Sequence, residues 1–264
     1  MMTQPPILLE IQNLTKHFGG IVALDKISTT VERGKIVSLI GPNGAGKTTL
    51  FNCISGIDRP QEGSVTLGDY RREILKSPSH WITRVGIART FQTIRLFKNM
   101  TVIENVKVGA HAKTRTNLWS ILLNSPRARK EEEKIEKHSF ELLEFCGLAG
   151  KANELARNLS YGHQRKLEIA RALACDPKLL LLDEPAAGMN PNEKEDLLNL
   201  IRSIRERSIT ILLIEHDMKV VMPISDKVIV LDYGKKIAEG QPHQIQRDPQ
   251  VIEAYLGRGY KPHA

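Results

Sequence analysis

The chain has 264 residues, of which 41% are hydrophobic, 26% charged and 5% aromatic, and its formal net charge is +8. A chain of this length and composition can bury one large core, or a core with an inserted lobe. Its basic residues are scattered and its aromatic residues are few, which disfavours nucleic-acid binding, whereas a basic body fits a protein that works beside a negatively charged membrane leaflet.

The N-terminus and the cysteines limit where the chain works. No basic segment followed by an apolar stretch opens the sequence, and no apolar run approaches the roughly 18 residues that a membrane span needs. We therefore expect the chain to stay in the cytosol. Cys53, Cys146 and Cys175 are far apart and lack CxxC spacing, so we expect small, mostly buried residues and neither a disulfide framework nor a zinc site.

The first predicted elements are short alternating strands at residues 7–12 and 63–69, which indicate an antiparallel sheet. Residues 35–40 form a continuous apolar strand that leads directly into the sequence GPNGAGKTT and a helix. Two further apolar strands, residues 179–182 and 209–214, are each followed by polar residues. Continuous apolar strands of this kind are typical of a parallel sheet covered on both faces, so the predicted fold class is α/β.

Between about residues 98 and 176 the strand signals vanish and the periodicity becomes helical. One helix is predicted to begin at Ser125 and Pro126 and to end near Gly147, and a second runs from the segment LSYGHQ to a point before Pro177. An all-helical lobe is thus inserted into the α/β core. The predicted organisation is one domain, 1–264, with a core at 7–97 and 177–240, a helical lobe at 98–176, and a C-terminal tail at 241–264 that has one short helix around 251–256.

The sequence GPNGAGKT matches the phosphate-loop pattern and lies between an apolar strand and a helix, as that pattern requires. Backbone N–H groups and the helix N-terminus bind phosphate in such loops, and glycines keep side chains out of the way. Lys47 is predicted to neutralise β and γ oxygens, Thr48 to bind Mg²⁺ and Thr49 to reach the α-phosphate. The predicted nucleotide-binding residues here are Gly41, Pro42, Asn43, Gly44, Ala45, Gly46, Lys47, Thr48 and Thr49.

Four further polar residues follow predicted strands. Asp183 is predicted to hold Mg²⁺ through water, and Glu184 to orient and deprotonate the attacking water, a role worth roughly 10²–10⁴ in rate. His216 is predicted to bind the γ-phosphate and align Glu184, and Gln92 to reach Mg²⁺ or the water. The alternative is that Asp183 and Glu184 only end a strand and start a turn. The predicted catalytic residues are Glu184, His216, Gln92 and Lys47, and the predicted metal ligands are Thr48, Gln92 and Asp183.

An aromatic residue of the antiparallel lobe is the candidate for binding the nucleotide base. Phe18 could stack on adenine, with Val22 packed on the same ring. The alternative is that Phe18 belongs to the core.

In their order along the chain, the phosphate loop, the segment LSYGHQ and the strand that ends in Asp183 and Glu184 resemble the ATP-binding-cassette family over nearly the whole sequence. The resemblance implies a P-loop NTPase core with a mixed sheet, an antiparallel β lobe and a helical lobe that carries the LSYGHQ signature. It also implies an ATPase that uses ATP and Mg²⁺ and closes head to tail with a second subunit. Ser160 and Gly162 would then bind the γ-phosphate of the ATP held by the opposite subunit.

A narrower resemblance concerns the stretches RTFQTIRLFKNMTVIENV, LSYGHQRKLEIARAL and LLLLDEPAAGMNPNE and the ending VIEAYLG. They look like the ATP-binding subunits of high-affinity branched-chain amino acid importers. This implies transmembrane permease subunits, a second identical or similar ATPase subunit and, indirectly, a solute-binding protein as partners, no nucleic acid, and a peripheral position on the cytoplasmic face of the inner membrane. Tyr161, His163 and Asn190 depart from the general family pattern, and the narrower family tolerates them.

Three alternatives remain open at this point. Urea and amide importers share much of the pattern. A non-transport cassette acting on DNA or ribosomes usually has two cassettes or long inserts, which this chain lacks. A P-loop kinase or GTPase would leave LSYGHQ without a role, and a GTPase would need an Asn-Lys-x-Asp motif that is missing.

The hydrophobic segment 111–124, which includes Trp119, has two interpretations. It either packs inside the helical lobe or, if partly exposed, forms a docking patch for the permease together with residues 91–97.

Overall fold

The computed structural model describes residues 7–68, 72–112 and 126–256. Its first sheet has four antiparallel strands in the order β2-β1-β4-β5. The strands are β1 (Ile7–Phe18), β2 (Ile21–Glu32), β4 (Glu62–Leu67) and β5 (Arg72–Glu73). The predicted antiparallel lobe is therefore present, and its first strand is longer than the predicted segment 7–12.

The second sheet has six strands in the order β10-β9-β3-β8-β7-β6. The pair β10 and β9 is antiparallel, and every other neighbouring pair is parallel. The strands are β3 (Ile36–Ile40), β6 (Ile87–Arg89), β7 (Leu179–Asp183), β8 (Thr210–Ile214), β9 (Lys227–Asp232) and β10 (Lys235–Gly240). All residues of β3, β7 and β8 are buried, as their continuous apolar sequences predict.

Helices cover the sheet and form the region between β6 and β7. They are α1 (Lys47–Ile54), α2 (Ser79–Val85), α3 (Val102–His111), α4 (Pro126–Phe145), α5 (Tyr161–Leu173), α6 (Pro191–Glu206), α7 (Met218–Ile224), α8 (Pro242–Ile245) and α9 (Pro249–Leu256), with 3₁₀ turns at Ala149–Lys151 and Ala156–Asn158. The prediction of an α/β fold is confirmed.

The two faces of β3 enter different parts of the core, because successive side chains of a strand point in opposite directions. Ile36 packs with the helical region and α6, whereas Val37 and Leu39 pack with α1 and the antiparallel sheet. The strand that precedes the phosphate loop is thus fixed from both sides.

Between β6 and β7 the described residues form helices and one isolated bridge, from Thr101 to Leu155. Helix α3 begins with a capping box in which Thr101 and Glu104 exchange hydrogen bonds with each other's backbone N–H groups. Helix α4 ends at Phe145, two residues before Gly147, whose φ of 71° suits a glycine at the helix end. Ser125, its predicted cap, and residues 113–124 of the hydrophobic segment lie outside the described residues.

The segment predicted as a tail contains two helices, α8 and α9, so the prediction of one helix was incomplete. The side chains of Ile245 and Val251 are buried against Ile40 and Val230. These helices therefore pack on the core next to the strand that leads into the phosphate loop. Residues 257–264 of the predicted tail lie outside the described residues.

Two predictions about the whole chain can be compared with the structure. Within the described residues, no helix combines the length and apolarity required to cross a membrane. The side chains of all three cysteines are buried, as predicted. Burial raises the pKa of the Cys53 and Cys146 thiols to about 12, which keeps both protonated at neutral pH.

Candidate functional site

The candidate site lies at the edge of the six-stranded sheet where β3, β6, β7 and β8 end. These four strands are parallel, so their carboxyl ends meet at the same edge. The phosphate loop follows β3, Gln92 follows β6, and His216 follows β8. Asp183 is the last residue of β7, and Glu184 comes directly after it. The order of strands therefore gathers the sequence-predicted residues of the parallel sheet into one region.

The phosphate loop is held tightly against the rest of the protein at two glycines. Gly41 has a φ of 151°, and a Cβ there would lie 2.1 Å from the backbone oxygen of Leu231. Gly46 has a φ of 100°, and a Cβ there would lie 2.5 Å from the backbone oxygen of Ala23. These two positions require glycine because of neighbouring backbone, and the constraint fixes the path of the loop.

Lys47 begins α1 and bends back over the loop. Its ammonium donates hydrogen bonds to the carbonyl oxygens of Gly41, at 2.7 Å, and Pro42, at 2.8 Å. Burial lowers the pKa of Lys47, and the carboxylates of Glu184 and Asp183 oppose that shift. Lys47 is thus electrostatically linked to both acidic residues of the site.

Asp183 is buried and pairs with an arginine that the sequence interpretation missed. Arg89, the last residue of β6, donates to the Asp183 carboxylate at 2.9 Å. Its other terminal nitrogen donates to Asn52 at 2.7 Å and Ser55 at 3.0 Å, both near the end of α1. Burial lowers the pKa of Arg89, and Asp183 opposes this. The position of Arg89 at a strand end was the available signal, the same one that identified His216.

Glu184 is fixed in an unusual backbone conformation beside Gln92 and His216. Its φ is 45°, a left-handed value that is strained for a residue with a side chain, and its N–H donates to the Ile214 carbonyl at 2.9 Å. Gln92 Nε2 donates to Glu184 Oε2 at 2.9 Å, and His216 Nδ1 lies 3.7 Å from the same oxygen. Two of the four predicted catalytic residues, Gln92 and His216, therefore converge on the carboxylate of a third, Glu184.

A second buried acid, Glu215, was also missed. Its carboxylate accepts the N–H of Ala186 at 2.9 Å and the N–H of His216 at 3.2 Å. Burial raises its pKa, and these two hydrogen bonds oppose the shift. Glu215 thus joins the loop after Glu184 to the residue that carries the His216 imidazole. Its position directly after the predicted strand 209–214 was the available signal.

The signature segment lies at the N-terminus of α5. Ser160 is exposed and caps the helix, with its hydroxyl accepting the His163 N–H at 3.4 Å. Gly162 is buried, and a Cβ there would lie 2.6 Å from the carboxylate of Glu193 on α6, so a larger residue would have to displace that side chain. Asn190, one of the three departures from the general family pattern, caps α6 in a capping box with Glu193.

Phe18 and Val22, the predicted adenine contacts, lie on adjacent strands at the end of the β1 and β2 pair. Phe18 is 46% exposed and Val22 is 45% exposed, so the alternative that Phe18 belongs to the core is wrong. The ammonium of Lys16 lies 4.6 Å from the centroid of the Phe18 ring. The ring is held at the surface of the antiparallel sheet, which leaves base stacking as the prediction.

Comparisons with known proteins agree on the family. Residues 24–187 match the family described as ABC transporter, and residues 235–261 match the family described as branched-chain amino acid ATP-binding cassette transporter. The high-affinity branched-chain amino acid transport ATP-binding protein BraF of Pseudomonas aeruginosa is 47% identical over 257 residues, which cover 97% of this chain and 99% of BraF. The corresponding LivG of Escherichia coli is 48% identical over the same shares of both chains.

Solved structures lead to the same family. The ADP conformation of MJ1267, an ATP-binding cassette of an ABC transporter, superposes with a TM-score of 0.83 at 36% identity and covers 96% of this chain and 100% of that one. The ATP-binding cassette MJ0796, in a dimeric post-hydrolysis state bound to ADP and Pi, superposes with a TM-score of 0.75 at 27% identity over 89% of this chain and 99% of that one. The chain therefore belongs to the ABC transporter family of ATP-binding cassettes.

Proposed function

We propose that the chain is the ATP-binding and ATP-hydrolysing subunit of an importer for branched-chain amino acids. The observation that carries this proposal is the convergence of Gln92 and His216 on the Glu184 carboxylate at the sheet edge that also holds Lys47. The match of residues 235–261 to a branched-chain amino acid cassette family supports the substrate.

The loop residues fit a bound nucleotide. The Gly44 position is exposed, has a φ of 81°, and has no atom within 4 Å of where a Cβ would lie. Phosphate oxygens can therefore approach the backbone there, at the N-terminus of α1. In this proposal Asn43, Gly44, Ala45, Gly46, Lys47, Thr48 and Thr49 surround the phosphates, and Phe18 and Val22 contact the base.

The residues predicted for Mg²⁺ also fit that ion. Thr48 is exposed on the first turn of α1, Asp183 supplies a carboxylate, and Gln92 supplies an amide oxygen. Among the described residues no cluster of three or more His, Cys, Asp or Glu side chains could hold a metal alone. This matches an ion that shares its ligand shell with the triphosphate and water. When bound, Mg²⁺ would neutralise charge that develops on the phosphate oxygens.

The chemistry proposed for the side chains is water activation. Glu184 orients the attacking water and takes its proton on a carboxylate oxygen. Gln92 donates to that carboxylate, and His216 lies against it, so both restrict where it can point. Lys47 supplies positive charge for the β and γ oxygens. The strained φ of Glu184 fits a residue whose position is set by function.

The assembly is part of the same proposal. Two subunits, identical or similar, close head to tail, and Ser160 and Gly162 of one contact the γ-phosphate of the ATP held by the other. The pair attaches to transmembrane permease subunits on the cytoplasmic face of the inner membrane, and the permease receives cargo from a solute-binding protein. Nucleic acid is not a partner. Exposed Ser160 at the N-terminus of a 13-residue helix supports the contact with phosphate.

The variant Glu184→Gln tests the catalytic role, because it keeps the size and hydrogen bonding of the side chain and removes its basicity. We expect ATP binding to be retained and hydrolysis to fall by roughly 10²–10⁴. The matched control is Glu195→Gln on the exposed surface of α6, which should hydrolyse ATP normally. Normal hydrolysis by Glu184→Gln would remove Glu184 from the role of base.

Membrane vesicles that contain the complete transporter test the cargo. ATP inside the vesicle lumen, on the side that faces this subunit, should drive movement of labelled leucine, isoleucine and valine in wild type and not in Glu184→Gln. Movement of urea or short amides in place of these amino acids would assign the subunit to a different importer.

A further inference from the structure

Arg165 and Glu168, on the signature helix α5, form a fully buried ion pair that the proposed mechanism does not use. Their side chains are 0% and 1% exposed, and Arg165 Nη1 lies 2.8 Å from Glu168 Oε2. A buried ion pair is weak support for stability, because desolvation offsets most of the attraction between the charges. The role of the pair is therefore inferred from the groups to which it bonds.

Both members of the pair bind the backbone of residues 91–95. Arg165 donates to the carbonyl oxygen of Phe91 at 2.7 Å and to that of Gln92 at 2.8 Å. Glu168 Oε1 accepts the N–H of Phe91 at 3.4 Å and the N–H of Arg95 at 3.3 Å. Backbone donors and acceptors of one short loop are thus held by one pair of side chains.

The loop held in this way carries the amide that contacts the catalytic carboxylate. The Gln92 carbonyl is bound by Arg165, and the Gln92 side chain donates to Glu184 at 2.9 Å. A shift of the Arg165 guanidinium therefore moves the residue that orients Glu184.

The signature lies at the N-terminus of the same helix, just before Arg165. Ser160 caps α5, and the Tyr161 hydroxyl lies 3.3 Å from Arg165 Nη2. An α-helix rises 1.5 Å per residue, so Ser160 and Arg165 are separated by less than two turns of a rigid element. A displacement at the signature is thereby transmitted to Arg165.

We propose that Arg165 and Glu168 are positioning residues that fix the Gln92 loop to the signature helix. This inference rests on the proposed function. Ser160 of one subunit contacts the ATP held by the partner subunit. That contact then sets the position of Gln92 in the first subunit's own site. The two ATP sites are then coupled, and hydrolysis is cooperative in ATP.

The double variant Arg165→Met with Glu168→Met tests the coupling, because removing both charges leaves neither member of the pair as a lone buried charge. Steady-state hydrolysis by the full chain, purified with its membrane partners, is measured over a range of Mg-ATP concentrations. We expect a fall in kcat of about tenfold, because Gln92 no longer orients Glu184, and a fall of the Hill coefficient to about 1, because the two sites no longer affect each other.

Two further variants make the result decisive. Arg165→Lys keeps the charge, but an ammonium lacks the planar guanidinium that binds two carbonyls and Glu168 at once. We therefore expect kcat and the Hill coefficient to fall in this variant too. Lys166→Gln is the control. Lys166 lies on the same helix as Arg165 and pairs with Asp196 on α6 at the protein surface. Loss of such a pair contributes little, so this variant should behave as wild type.

Several outcomes would overturn the coupling. They are a Hill coefficient of 1 in wild type, or wild-type kcat and cooperativity in both Arg165 variants. Failure of both variants to fold would assign the pair to stability instead and would also overturn it. A wild-type chain that neither binds nor hydrolyses ATP would instead refute the proposed function.

Discussion

At the scale of single residues, the pair of Arg89 and Asp183 places a buried cation next to a predicted Mg²⁺ ligand. The two side chains are 7% and 4% exposed, and Arg89 Nε is also buried without a hydrogen-bond partner in the described part of the chain. Arg89 also lies 5.0 Å from the Phe91 ring centroid, in the loop that carries Gln92. It therefore connects β6, β7 and α1 beneath the site.

Replacing Arg89 should destabilise the protein more than replacing a surface cation. In Arg89→Met the Asp183 carboxylate stays buried without its partner, a loss of about 3–5 kcal/mol in the free energy of unfolding. The measurement is urea unfolding followed by circular dichroism.

The control for this prediction is Lys35→Met. Lys35 pairs with Asp226 at 3.5 Å, and the two side chains are 42% and 25% exposed, so its removal should cost about 0–1 kcal/mol. Equal losses for the two variants would mean that the buried pair contributes no more than an exposed one.

At the scale of elements, α3 and α5 approach closely at a glycine. A Cβ at Gly109 would lie 2.1 Å from the carbonyl oxygen of Arg171 and 3.2 Å from the Ala174 Cβ. The first contact is with helix backbone, which cannot rotate away. The helical region therefore depends on the absence of a side chain at this position.

We expect Gly109→Ala to destabilise the protein by about 1–3 kcal/mol through forced separation of the two helices. Helix propensity alone would give the opposite sign, a gain of about 1 kcal/mol. Gly150→Ala is the matched control, because no atom lies within 4 Å of that position. Thermal unfolding of both variants distinguishes the effects, and a Gly109→Ala protein as stable as wild type would show that α3 can shift without loss.

Elements and contacts differ in how far they could be predicted from sequence. Strands β3, β7 and β8 are mainly apolar. The carboxyl ends of parallel strands share an edge, so both the sheet and the meeting of Asp183, Glu184 and His216 could be anticipated. Helix α8 could not, because four residues form a helix only with tertiary support, here the burial of Ile245.

Buried charges were the main omission. Arg165 bonds to Phe91, 74 positions away in sequence, and neither residue type nor helical spacing distinguishes such an arginine from one on the surface. Long-range backbone contacts of this kind appear only once the loop after β6 and helix α5 are placed together.

At the scale of the whole molecule, the phosphate loop and the signature lie on different parts of one chain. Lys47 opens α1, next to the sheet edge, whereas Ser160 opens α5 in the helical region. The proposal assigns these two residues of a chain to two different ATP molecules. This division predicts how defects in two different chains combine.

Mixing a Lys47→Ala chain with a Ser160→Arg chain tests the division. Neither variant alone can form a working site, since each homodimer carries its defect twice. In a mixed dimer one site combines the intact Lys47 of the second chain with the intact Ser160 of the first, so we expect partial recovery of ATP hydrolysis. The control mixes Lys47→Ala with Glu184→Gln, whose defects lie on the same side of each site, and no recovery is expected there. Each variant is first checked by thermal unfolding, because loss of the Ser160 cap costs about 1 kcal/mol. Recovery absent from both mixtures would mean that each chain completes its own site.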